Sequence, residues 1–232
     1  MEQRLYPTCD KCGKLVCVAW GLKIGEKPNI EEAPPFCPMK LHADVIERTV
    51  REYDKDGTRE LARLSSLQEA ECYELIPGGF RPTKPRVEET VGFAQKMGYR
   101  RLGIAFCLGL QSEARTMSLI LERKGFEVVS VGCKVGAFPK ERAGLKPEEK
   151  ILEPQMYEPM CNPITQAEIL NEEGVDFVIL LGLCVGHDTL FIKYCRRPMT
   201  VLATKDRVTG HNPLAVLYTS KSYYSNLRMR AK

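Results

Sequence analysis

Ten cysteines stand among 232 residues, four of them near the start as Cys9-x2-Cys12-x4-Cys17-x19-Cys37, and these are the side chains best suited to chemistry. Two thiolates separated by two residues can grip one metal from a single tight turn, and Gly13 directly after the second relaxes the backbone there. Cys17 and Cys37 supply a third and a fourth sulfur. Around them the segment has few large apolar residues with which cysteines could build an ordinary core. Zinc sites usually present two separate Cys-x2-Cys knuckles, whereas clustered cysteines followed by a remote Cys-Pro, here Cys37-Pro38, are commoner around iron–sulfur clusters. The spacing therefore points to a [4Fe–4S] cluster on Cys9, Cys12, Cys17 and Cys37, with zinc as the alternative. His42 reads as a helix-surface histidine rather than a ligand.

A second set of cysteines is scattered in sequence but not in pattern. Cys107 closes the apolar run Leu102-Gly-Ile-Ala-Phe-Cys107, Cys133 closes Glu127-Val-Val-Ser-Val-Gly-Cys133, and Cys184 follows Phe177-Val-Ile-Leu-Leu-Gly-Leu. Cys161 lies just before the helix that leads into the last of these. Small, often buried cysteine suits a crowded strand end, yet unrelated core positions should scatter along strands rather than gather at one end. Cys107, Cys133, Cys161 and Cys184 are accordingly expected to share a second metal or cluster, with one iron open to substrate.

Polar groups collect at the same ends. His187 and Asp188 follow the third run; Lys205, Asp206, Arg207 and His211 follow a fourth, Met199–Lys205; Lys134 follows the second. Histidine exchanges a proton near neutral pH, and lysine or arginine can hold an anionic substrate or a developing negative charge. His187, Asp188, Lys205 and His211 are the candidate catalytic residues. Two bland roles compete with that reading: Asp188 as a helix cap and His211 as part of the Gly210-His-Asn-Pro turn.

The elements that must position these groups follow from the apolar periodicity. Residues 38–76 read as helical with a break at Asp56-Gly57, and Cys72 falls on the second helix as a core thiol. Pro77-Gly78-Gly79, Pro82 and Pro85 then separate a metal-binding and helical region, 1–80, from a main domain, 81–232. In the main domain a helix over about 86–97 precedes the first strand. Ser112 is a candidate cap for the next helix, which ends at Gly125. Residues 134–160 form a long connection of unassigned role, lid or disordered. The following helix starts either from the Thr165/Glu168 capping box or from Asn162 with Pro163. Alternating strands and helices predict an α/β fold, a doubly wound, Rossmann-like parallel sheet of order 2-1-3-4. Leu214–Tyr218, only eight residues after the fourth strand, is expected as an antiparallel edge strand or extended tail.

Composition bounds the partners. Hydrophobic residues make up 44% of the chain, and 34 basic against 30 acidic residues give a net charge of +4 without a block of either sign, which gives nucleic-acid binding little support. No stretch is long and apolar enough to span a membrane, and the N-terminus lacks a signal-peptide core. A soluble, cytoplasmic protein is expected, where thiols stay reduced and a disulfide scaffold is disfavoured. No glycine-rich phosphate loop supports NAD or ordinary ATP binding. Partners are expected to be a small-molecule substrate or a redox partner protein.

The strings Gly103-Ile-Ala-Phe-Cys-Leu-Gly-Leu110, Cys161-Asn-Pro-Ile-Thr-Gln-Ala167, Gly182-Leu-Cys-Val-Gly-His-Asp188 and Lys205-Asp-Arg-Val-Thr-Gly-His-Asn-Pro213, with the N-terminal cysteines, resemble the cysteine-rich predicted metal-binding proteins of unknown function (domain of unknown function 1847). The resemblance spans nearly the whole chain and implies metal binding without a reaction. Three readings follow: an iron–sulfur enzyme acting on a small substrate at the strand ends, an electron-transfer, metal-handling or redox-sensing protein, and a structural zinc protein with a small-ligand pocket.

Overall fold

The computed structural model describes residues 5–19 and 21–229. They divide into two compact units, 1–67 and 68–232.

The first unit is built from turns and short helices. Tight 3-10 turns at Cys9–Lys11, Val16–Val18 and Ile30–Glu32 lead to α1 (Pro38–Leu41), α2 (Ala43–Val50) and α3 (Asp56–Ala70), within which the division falls. Leu15 and Ala19 take left-handed backbone conformations on either side of the middle turn. Such conformations are costly for residues with a Cβ, and they fold the chain back on itself where Cys17 lies.

The second unit opens with a hairpin, β1 (Tyr73–Ile76) and β2 (Gly79–Pro82), paired antiparallel. The helical pattern expected over 38–76 ends at Ala70. Pro77 and Gly78, the latter at φ +86°, instead make a two-residue turn with proline then positive-φ glycine, which forces the chain to double back. The hairpin belongs with the second unit because Gln68, Glu71 and Cys72 bind the elements that follow. Lys96 at the end of α4 (Arg86–Lys96) donates to Gln68 Oε1 and Glu71. Cys72 is buried and hydrogen-bonds the Gln68 carbonyl, a core thiol as read.

Beyond α4 run β3 (Arg101–Phe106), α5 (Gln111–Arg123), β4 (Glu127–Gly132), α6 (Pro163–Glu172), β5 (Phe177–Leu181), α7 (His187–Tyr194) and β6 (Met199–Ala203). The four strands form one parallel sheet of order β4-β3-β5-β6. Its alternate residues face two separate cores. Leu102, Ile104, Phe106, Ile179 and Leu181 pack with α4 and α5, while Ala105, Val131, Val178 and Leu180 pack with α6 and with Phe191 of α7. Every β5 residue is buried. A strand covered on both faces must be apolar throughout, and each such side chain contributes about 1.5–3 kcal/mol through removal from water.

Several sequence expectations are corrected in detail. Helix α5 begins at Gln111, and Ser112 lies inside it, bonding the neighbouring Glu113 carboxylate rather than a backbone amide. Of the two starts left open for α6, Asn162 is the cap, accepting from Thr165 N at 3.2 Å, with Pro163 as first helical residue. Leu214–Tyr218 is a short helix, α8, not an edge strand. Arg86 already donates to Val201 O and Thr200 Oγ1 along β6, and Pro213 with Asn212 opens a helical turn.

The connection over 134–160 is ordered around one carboxylate. Glu158 accepts the N–H groups of Ile151 and Leu152 at 2.9 and 3.0 Å and pairs with Lys140 at 2.5 Å. Those bonds, led by the Leu152 amide and then Lys140, hold its acid down to about 2.

Candidate functional site

At the N-terminus the four predicted ligands all lie on the wall of one cavity. Cys9 opens a 3-10 turn closed by Cys12 N–H donating to Cys9 O at 3.0 Å. Cys17 sits in the turn framed by left-handed Leu15 and Ala19, and Cys37 immediately precedes Pro38, the first residue of α1. All four line one cavity of about 70 Å³, walled by Leu15, Phe36 and Met39. None of the four thiols bonds another polar side chain among the described residues. Among those residues, no group of three or more His, Cys, Asp or Glu side chains stands where it could hold a metal ion.

At the carboxyl end of the parallel sheet, backbone pairing continues one step past the strands. Cys107 N–H donates to Leu181 O at 3.2 Å and Cys133 N–H to Phe106 O at 2.9 Å, which places both cysteines at the sheet's end. Cys161 arrives by the tether of its neighbour: Asn162 N–H donates to Cys133 O at 2.7 Å and Asn162 Nδ2 to Val135 O at 3.1 Å. The Cys161 and Cys133 sulfurs consequently touch at 3.9 Å. Cys133 is 2% exposed; it receives the Leu108 N–H at 3.4 Å and hydrogen-bonds Cys107.

Each outer thiol has its own cation. Cys107 meets Lys205, whose Nζ lies where a Cβ on Gly109 would come within 2.9 Å of it. Cys161 meets His187, with the Lys134 charge nearby. Cys184, after β5, accepts from Arg207 Nη2 at 3.0 Å. The Cys133 hydrogen bond lowers the Cys107 thiol below its ordinary value, assisted by Gly109 N–H and Lys205 and opposed by burial. Cys161 is lowered the same way, by Cys133 first and His187 second. Cys133, giving its proton to these neighbours and buried, is raised. One buried protonated thiol thus sits between two sulfurs disposed to be thiolates. Such low-pKa thiolates beside cations are nucleophiles.

The predicted catalytic residues separate here. His187 and Lys205 reach the sulfurs; Asp188 and His211 do not. The Asp188 carboxylate accepts from Gly186 N at 3.0 Å and Thr189 N at 2.7 Å at the start of α7. His211, at φ +67°, accepts from Asp206 N through Nδ1 at 3.1 Å and shapes the turn after β6. Gln166 is a residue that sequence reasoning missed. Fully buried, it donates from Nε2 to Phe106 O at 3.2 Å and Val131 O at 2.7 Å, pinning the ends of β3 and β4 together behind the thiols. A glutamine directly before Ala167 and one turn before Leu170, both of them core positions, was the available signal.

Residues 37–202 match the family described as Protein of unknown function (DUF1847). The chain belongs to this family. It is also 42% identical, over 224 residues, to the Uncharacterized protein MJ0455 of Methanocaldococcus jannaschii, covering 97% of this chain and 99% of the relative. The DUF1847 match takes in Cys37 and the four cysteines at the sheet end, and the longer likeness covers almost all of both units. No described helix is long and apolar enough to cross a membrane.

Proposed function

We propose that this DUF1847 protein is a metal-binding protein with an iron–sulfur cluster on Cys9, Cys12, Cys17 and Cys37, and that a small anionic substrate reacts at the thiols ending its Rossmann-like sheet. What supports the metal reading is that four free cysteines line one apolar cavity. A donor set of four thiolates suits iron–sulfur clusters or zinc and does not suit magnesium or calcium, which take oxygen ligands. A bound cluster would supply one-electron transfer. The first unit is poor in core, so drawing its four sulfurs inward would make metal binding part of that unit's folding free energy.

The sheet-end sulfurs support a different use from a second cluster. Cys133 lies in hydrogen-bonding contact with both Cys107 and Cys161, and Cys184 is drawn to Arg207 instead of toward them. Lys134, Lys205 and Arg207 give the place a positive field fit for an anion.

Iron and acid-labile sulfide content of anaerobically purified protein tests this reading. About four irons and four sulfides per chain, the content of one cubane, should be present in the native protein and absent from Cys9→Ala/Cys12→Ala. Zinc without sulfide would overturn the iron–sulfur assignment. Twice the cubane content, halved in the variant, would return a second cluster to the sheet end.

A further inference from the structure

We infer that Cys161 and Cys133 are a redox-active dithiol that reduces a small, carboxylate-bearing disulfide. This rests on the reading of the sheet end as a substrate site, and not on the N-terminal metal. The geometry is that of a couple one step from closure. The two sulfurs are in contact at 3.9 Å without being bonded, and a disulfide needs them about 2 Å closer. The main-chain bond from Asn162 N to Cys133 O and the side-chain bond from Asn162 to Val135 O hold the two backbones side by side. The closing movement is therefore one of side chains.

Exposure assigns the roles. Cys161 is half-buried beside His187, while Cys133 lies beneath it at 2% exposure. An incoming disulfide R–S–S–R meets Cys161 first. The Cys161 thiolate attacks one substrate sulfur, the substrate S–S bond breaks, and one R–S⁻ leaves, giving the mixed disulfide Cys161–S–S–R. Cys133 then loses its proton to Cys107, to which it is hydrogen-bonded, and attacks the Cys161 sulfur. The second R–S⁻ departs as the Cys133–Cys161 bond forms. Two thiols have become one disulfide and one substrate disulfide has become two thiols, so electrons and protons balance. A dithiol reductant reverses the exchange on the protein. Lys134, Lys205 and Arg207 around the entry select for negative charge on R.

Cysteine reactivity of the anaerobic full-length holoprotein tests this, with glutathione disulfide as the anionic probe and cystamine as the cationic one. Released thiol is counted and disulfides are mapped by peptide mass spectrometry. The native chain should release two glutathiones and acquire a Cys133–Cys161 bond. Cys133→Ala and Cys133→Ser should each stop at one glutathione, with the adduct on Cys161, and Cys161→Ser should form neither product. Cystamine should react at least tenfold more slowly than glutathione disulfide. A native disulfide mapped to another pair, or no Cys161 adduct in either folded Cys133 variant, would overturn the couple. Cystamine reacting as fast would overturn the charge selection. Iron lost from the Cys133 or Cys161 variants would show these sulfurs to be cluster ligands and overturn the couple, whereas iron lost only from Cys9→Ala/Cys12→Ala is the result expected if both readings hold.

Discussion

Gly182→Ala is the substitution whose cost follows most directly from the structure. Gly182 directly follows β5, two residues before Cys184, at φ +69°, and a Cβ there would lie 2.0 Å from Leu110 Cδ1. The left-handed backbone costs a residue with a Cβ roughly 1–2 kcal/mol, and forcing a methyl into a filled core costs roughly 1–3 kcal/mol. Together these give about 2–5 kcal/mol, a large share of the total stability of an ordinary domain. Leu110 is 3% exposed, so Leu110→Ala by itself should cost about 2–5 kcal/mol for the hole it leaves. The double variant separates the two sources. Removing the Leu110 side chain removes the clash but not the backbone strain, so the double variant should be more stable than the sum of the singles by about 1–3 kcal/mol. Urea unfolding followed by far-ultraviolet circular dichroism, under reducing conditions, measures all three. Strict additivity would refute the reasoning, because it would mean that the glycine is needed for its backbone alone. The damage should also reach the site: Leu110 N–H bonds Cys107 O at 2.7 Å, so a displaced Leu110 moves the turn that carries Cys107.

Two further outcomes are expected. Asp188→Ala should cost about 1 kcal/mol by removing the acceptor at the start of α7, with thiol alkylation at Cys161 unchanged; a tenfold loss of that reactivity would restore a catalytic role to Asp188. The Glu158 acid lies below its ordinary 4.5, at about 2, so its contribution is fully present above about pH 4.5 and is lost as pH falls through about 2. Pepsin cleavage within 134–160 should therefore rise as the pH is lowered over that interval, and Glu158→Gln should be cleaved readily at its upper end. Cleavage independent of pH in the native chain would count against the carboxylate as the organiser of this segment.

The parallel sheet was legible because burial on both faces writes itself as unbroken apolar runs. Phe177–Leu181 needs no partner information to be read as a central strand. The segments misread are those where local propensity was weak and a single contact decided. Tyr73–Ile76 could extend a helix until Pro77-Gly78 doubles the chain back, and the edge strand preceding Leu214–Tyr218, β6, has its Val201 carbonyl already bonded by Arg86. Asn162 against Thr165 as the cap of α6 was undecidable from spacing, since both patterns are chemically sound. The bond from Asn162 to Cys133 O that favours the former is made with a residue far away in sequence.

The same distinction explains the site. That Cys107 and Cys133 end adjacent strands is a consequence of alternating elements and right-handed crossovers, so their meeting could be foreseen from order alone. What each sulfur touches depends on rotations that order does not fix. Cys184 ends the neighbouring strand and was expected to join the others, but Arg207 reaches back from the turn after β6 and takes its sulfur at 3.0 Å. His187 and Asp188 are adjacent, yet one lies against Cys161 while the other turns to the backbone amides of its own helix. Consecutive residues on a helix point about 100° apart, so only one of the pair can face the sulfurs. A short polar acid at a helix start finds two free N–H groups before it finds any substrate. Histidine has no such local acceptor role there, and that difference in chemistry, rather than in position, leaves the His187 side chain facing Cys161.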